Sequence, residues 1–121
     1  MKFAAWSSLV IGALMLAQWT FFIAAGQVSE LETEPVRIGF HLAAEAATAF
    51  ALIAAGISLL RGGGSAIALG LVANGMLVYT VIVSPGYFAQ KGQWPLVGMF
   101  AIVLAFAIVS IVNLAKAARI R

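Results

Sequence analysis

Four apolar runs, each close to the length a helix needs to cross a bilayer, leave this chain few folds to adopt. They extend from about Ala4 to Ala25, Val36 to Leu60, Ala66 to Val83 and Leu96 to Ala115. A helix of ~20 residues spans the ~30 Å of bilayer hydrocarbon. Lipid offers no partner to the open backbone of a strand, so these runs are expected to be helices. Turn chemistry separates them. Pro35 stands at a first helical position after Glu30-Leu31-Glu32-Thr33-Glu34, Arg61-Gly62-Gly63-Gly64-Ser65 makes a tight turn, and Ser84-Pro85-Gly86 reads as the end of the third helix. The expected fold is all-α, a polytopic membrane protein with four transmembrane helices in an antiparallel up-down bundle, as one domain over residues 1–121.

Composition agrees. Hydrophobic residues make up 64% of the chain and charged residues 9%, against roughly 45–50% and about 25% in soluble domains. A soluble domain of this size keeps too much of its surface in water to absorb that much apolar side chain. There is no cysteine, which excludes disulfides, thiolate metal sites and cysteine nucleophiles. No basic run is interleaved with aromatics, so a nucleic-acid partner is not expected.

Lys2 and Ala24-Ala25-Gly26 give the first span some likeness to a secretory signal. Its apolar region exceeds the usual ~7–15 residues and carries Gln18, Trp19 and Thr20, so it is read as a retained membrane helix. Basic residues then set the orientation. With the amino terminus inside, Lys2, Arg61, Lys116, Arg119 and Arg121 are cytoplasmic, and Arg37, Lys91 and the Glu30/Glu32/Glu34 loop are outside. The expected location is a bacterial cytoplasmic (inner) membrane with both termini in the cytoplasm. Tyr87, Phe88 and Trp94 read as interfacial aromatics, and the Lys116–Arg121 tail as an anchor to anionic headgroups.

The second span is the most informative. At helical spacing His41, Glu45, Thr48 and Leu52 fall on one line, opposite bulky residues such as Phe50 and Ile57. That polar line is expected to face the bundle interior. Gly39, Ala43, Ala47, Ala51 and Ala55 are small at every fourth position, as are Ala4, Ser8 and Gly12 in the first span, a pattern that lets backbones approach closely. The third span carries Asn74 in line with Gly70 and Val78, with Tyr79 on the lipid side. Gln18 lies in line with Ser7, Ile11 and Leu14.

By helical rise, Glu45 lies about 15 Å below Pro35, Asn74 about 15 Å below Ser84, and His41 and Gln18 about 9–12 Å down. His41, Glu45, Asn74 and Gln18 are therefore the candidate site, a place to hold a proton or a small polar ligand. A hairpin across the Arg61–Ser65 turn is expected to pair Glu45, sixteen residues before Arg61, with Asn74, thirteen after it. The plainer alternative is a hydrogen-bonded clamp between helices.

Other chemistries have less support. His41 and Glu45 supply two metal ligands where a site needs three or four, and one histidine gives haem one axial ligand. Ser7, Ser8, Ser58 and Ser65 lie away from His41 in depth or on the helix face, no Gly-x-Ser-x-Gly occurs, and the glycine turn lacks the Lys-Ser/Thr of a phosphate loop. Residues 84–95 read as a long outer loop, either an aromatic-anchored belt or a lid. The four-span layout is similar to that of small multidrug-resistance transporters, whose essential glutamate is in the first helix, but the first span here has no acid. The likeness to DoxX-like proteins is in helix count alone.

The functional expectation is a non-enzymatic accessory or transport-related component with a buried polar site, no cofactor, and the bilayer, a second copy or a larger membrane complex as partners. The alternative is a membrane-embedded enzyme or redox subunit using His41 and Glu45 for acid–base or metal chemistry.

Overall fold

A computed structural model describes residues 2–28 and 30–120, with all of their side chains except those of Glu30, Tyr87 and Ile120. The readings that rest on the Glu30 and Tyr87 side chains and on Arg121 lie outside the described residues. The order is α1 (Lys2–Ala24), a single-turn α2 (Glu30–Thr33), α3 (Pro35–Arg61), α4 (Ala66–Gln90) and α5 (Trp94–Ile120). Helices α1, α3, α4 and α5 are each long and apolar enough to cross a membrane. The protein is an integral membrane protein by that measure. The four run alternately up and down, so the α3–α4 turn shares one end with the start of α1 and the finish of α5. The α1–α3 and α4–α5 connections share the other, called the loop end below.

Three helices stop in the same way. Gly26, Gly62 and Gly92 adopt φ of 70°, 72° and 74°, a left-handed conformation that costs glycine little. The N–H of each glycine bonds the carbonyl three residues back, and the next N–H (Gln27, Gly63, Gln93) bonds the carbonyl five back. This pairing satisfies carbonyls that the helix end would leave bare. Pro35 opens α3 with its φ already set, and Arg37 pairs with Glu34 at 3.1 Å in the same turn.

One boundary departs from expectation. The third spanning helix does not stop at Ser84-Pro85-Gly86 but continues through Pro85 to Gln90. Proline removes only the N–H that would have bonded the Val81 carbonyl, and membrane helices tolerate such an interruption where neighbouring groups pack around it. Gly92 supplies the actual stop. The connection to α5 shrinks to Lys91–Gln93, so the long outer loop or lid expected over residues 84–95 does not exist.

Helix α1 packs most extensively on α3 and α4 on α5, while α3–α4 and α1–α5 contacts close the ring. Gly12 and Gly56 fix the α1–α3 approach. A Cβ on Gly12 would lie 2.7 Å from the Ala49 carbonyl oxygen, and one on Gly56 2.7 Å from that of Ala5. Ala4, Ser8 and Gly12 are all buried, as the first span's spacing implied. In α3 the close face is a different one from that expected. Gly39, Ala43 and Ala47 are exposed, and only the far end of that series, Ala51 and Ala55, turns inward. The face that meets α1 holds Ala49, Ile53 and Gly56 instead. The dry centre of the bundle is Ile11, Leu52, Ala55, Ala73, Leu77, Val81 and Ala107.

Candidate functional site

Glu45 is held near the middle of α3 by groups from two other helices. Its side of α3 turns inward with Thr48 and Leu52, and the residue is only 7% exposed. Thr48 satisfies its own hydroxyl by donating to the Ala44 carbonyl at 2.9 Å. Glu45 has no such internal recourse, and a central acid costs about 2.5–3.5 kcal/mol on the insertion scale. It is met instead by donors. The Trp19 indole N–H of α1 donates to Oε2 at 3.2 Å, and the Thr80 hydroxyl of α4 donates to Oε1. Thr80 Oγ1 also lies 3.2 Å from Ser84 Oγ, one turn nearer the loop end. His41, one turn above Glu45 on α3, places Nε2 3.9 Å from Oε1. Its ring stands edge-on to Trp19 with centroids 5.6 Å apart.

Above this cluster the helices part. A cavity of about 540 Å³ lies at the loop end, with Trp19, His41 and Ser84 among its lining, aromatic walls from Phe22 and Phe88, and Glu34, Arg37 and Lys91 toward the surface. Trp19 and Glu45 also border a smaller cavity of about 210 Å³ between α1 and α3. Glu45 and its partners thus form the partition between two spaces, one polar-rimmed and one mostly apolar.

The four residues singled out in the sequence do not form one group. His41 and Glu45 are together. Asn74 is fully buried elsewhere, donating to Ser8 Oγ at 3.0 Å and to the Gly70 carbonyl at 2.9 Å. Its Oδ1 has no partner, nor do the buried hydroxyls of Ser7 and Ser110. Leu77 stands between Asn74 and Thr80 along α4 and is fully buried with Leu52 of α3, so apolar core separates the two polar layers. Gln18 is half-buried on α1, and its neighbour Trp19 is the residue that reaches Glu45. The expected Glu45–Asn74 pair is therefore replaced by Glu45–Thr80 and Asn74–Ser8.

The geometry of the turn sets this pairing. Residues 62–65 reverse the chain without adding depth, so level must be measured from Ala66, where α4 begins. Thr80 is fourteen residues beyond Ala66 and Asn74 only eight, against the sixteen that separate Glu45 from Arg61. Trp19 carried its own signal, since a buried indole N–H seeks an acceptor. Among the described residues no three His, Asp or Glu side chains come together as a metal site.

The family described as "Domain of unknown function (DUF8058)" matches residues 1–121, and the chain belongs to it. No curated protein and no solved structure matches the chain.

Proposed function

We propose that this DUF8058 protein is a non-enzymatic membrane component, an accessory subunit or small transport component, whose loop-end cavity binds a proton or a small polar ligand through Glu45 and His41. The observation that carries this is a buried acid shared by three helices directly beneath an open cavity. A purely structural clamp is a poor account of it. Hydrogen bonds between membrane helices contribute about 0.6 kcal/mol on average, well below the cost of placing an acid at that depth. Ionisable groups inside membrane helices usually serve a ligand, an ion or a proton.

The apolar layer of Leu52 and Leu77 beneath the cluster favours a site entered from one end over an open pore. The location we assign is a bacterial cytoplasmic membrane with both termini in the cytoplasm, so the cavity opens on the opposite side. The exposed Gly39/Ala43/Ala47 stripe suits a second copy or a larger complex as partner.

Trp19 is a built-in reporter, because its N–H touches Glu45 and its ring faces His41. In a Trp6→Phe/Trp94→Phe background it is the sole tryptophan. Its emission should titrate with pH, and the titration should disappear in Glu45→Gln/His41→Gln. A curve that is flat, or unchanged in that double variant, removes the reading. An absorbance spectrum or metal analysis revealing a stoichiometric chromophore or ion would instead favour the enzymatic alternative.

A further inference from the structure

Glu45 is reached from the loop-end cavity through a line of hydroxyls. A threonine or serine inside a helix commonly turns its hydroxyl back onto the carbonyl four residues before it, as Thr48 does with Ala44. Thr80 and Ser84 of α4 spend theirs differently. Thr80 donates to Glu45 Oε1, and Ser84 Oγ lies 3.2 Å from Thr80 Oγ1. Each hydroxyl carries one proton and can accept another. With the Thr80 proton committed to Glu45, Ser84 is the donor of the second bond, so both bonds point from the cavity toward the acid. Both residues are buried, and Ser84 is the one that lines the cavity.

The other approaches to the carboxyl group do not carry a proton. The Trp19 indole donates to Oε2 but has no acceptor with which to pass a proton on. His41 Nε2 stands 3.9 Å from Oε1, beyond a hydrogen bond. Beneath the acid, Thr48 is turned to its own helix, and Leu52 and Leu77 fill the core. The smaller cavity beside it is walled mostly by apolar side chains. His41 is the titratable neighbour on α3, while α1 and α4 turn Trp19 and Thr80 toward the acid. Glu34, Arg37 and Lys91 lie toward the cavity's surface, and Lys116 and Arg119 of α5 at the opposite end of the bundle.

We propose that Ser84 and Thr80 are a proton relay, the route by which Glu45 exchanges its proton with the loop-end cavity. This rests on Glu45 being a proton site and names the path to it. Ser84 Oγ takes a proton from a hydronium ion in the cavity, leaving water, as its own proton passes to Thr80 Oγ1. The Thr80 proton passes in turn to Glu45 Oε1. One O–H bond breaks and one forms at each hydroxyl, and the carboxylate becomes a carboxylic acid that donates back along the line. Release runs the same chain in reverse, so the relay serves one side of the membrane.

The test uses the Trp19-only protein carrying His41→Gln, in which the remaining pH response of Trp19 is that of Glu45. A laser flash releases protons from a caged donor, and Trp19 emission is followed with microsecond resolution. Thr80→Val and Ser84→Val put a methyl group where the hydroxyl stood. Each should slow the response at least about tenfold, the rate effect of losing one hydrogen bond to a charged group from the path. Thr80→Ser should keep the parent rate. Ser84 bonds Thr80 and not Glu45, so the equilibrium titration of Ser84→Val should coincide with the parent's, which separates a relay from a merely structural contact. An unchanged rate in either valine variant, or a Thr80→Ser rate as low as theirs, overturns the relay and leaves the cavity's binding role standing. A response that vanishes with His41→Gln places the proton on His41 and also overturns the relay alone. Absence of any Trp19 titration with His41 present overturns both readings.

Discussion

Thr80 lies level with Glu45 across the α3–α4 hairpin and, from the helix that follows in the chain, donates a hydrogen bond from its hydroxyl to the Glu45 carboxyl group. The same hydroxyl neighbours Ser84, which lines the loop-end cavity, so Thr80 links the buried acid to the space above it. Thr80→Val keeps the shape of the side chain and removes the donor. A buried acceptor stripped of one partner costs about 1–3 kcal/mol, and the unfolding free energy in detergent should fall by that amount. Thr80→Ser should retain most of it. A Thr80→Val protein as stable as the parent would mean that this hydrogen bond does not hold Glu45.

The fold was legible because its main determinant, the length and apolarity of the four spans, is a property of the sequence itself. The inward line of Glu45, Thr48 and Leu52 was legible for the same reason, since 100° per residue fixes a face wherever the helix sits. Tyr79, read as lipid-facing, is 71% exposed. What failed depended on relations between helices. Spacing alone pairs Asn74 with Glu45 only if the turn residues add depth, which they do not, and Pro85 ends a helix only where nothing packs around the gap, whereas α4 passes through it. The choice between two small-residue faces of α3 turned on where α1 docks, which no local pattern in α3 encodes.

The α1–α3 seam gives a second expectation. At Gly56 an added side chain meets the Ala5 backbone, which cannot yield as a flexible side chain can. Gly56→Leu should therefore lower the melting temperature of the detergent-solubilised protein, by at least the roughly 1–3 kcal/mol typical of an overfilled contact. Ala47→Leu should leave the melting of the monomer unchanged, because Ala47 is exposed. If Ala47→Leu changes particle size in the same experiment, the exposed stripe is a contact between copies. A Gly56→Leu protein that melts like the parent contradicts the close approach.

Asn74 and Ser8 make a third pair worth separating from the site. Ser8→Ala deletes a bond between α1 and α4 but leaves the Asn74 amide to the Gly70 carbonyl. Its cost should stay below ~1 kcal/mol, as for most hydrogen bonds between membrane helices. Ser8→Ala/Asn74→Leu removes both partners together with the unpartnered Oδ1, and replacing a polar pair by apolar groups of similar shape is nearly neutral or stabilising. Equilibrium unfolding should rank the double variant at or above the single. The Trp19 pH titration should be the same in both, because Leu52 and Leu77 insulate this layer from Glu45. A double variant that loses the titration would show that the two polar layers communicate.

The orientation of the bundle decides which compartment the cavity serves. Lys2 opens α1, Arg61 closes α3, and Lys116 and Arg119 lie near the finish of α5, all at the end opposite the cavity. Arg37 and Lys91 belong to the loop end, where Glu32 and Glu34 accompany them. Short basic flanks are retained in the cytoplasm and acidic residues count little in that bias, so the cavity is expected to face outward. A fluorescent protein that matures only in the cytoplasm, fused after Arg121, should be bright, and a phosphatase active only outside should be silent at the same position. A phosphatase inserted at Gly92 should be active, since that turn is short, exposed and at the cavity's end. The opposite pattern at both positions would turn the molecule over and place the Glu45 cavity on the cytoplasmic side, where its ligand would have to be supplied from within the cell.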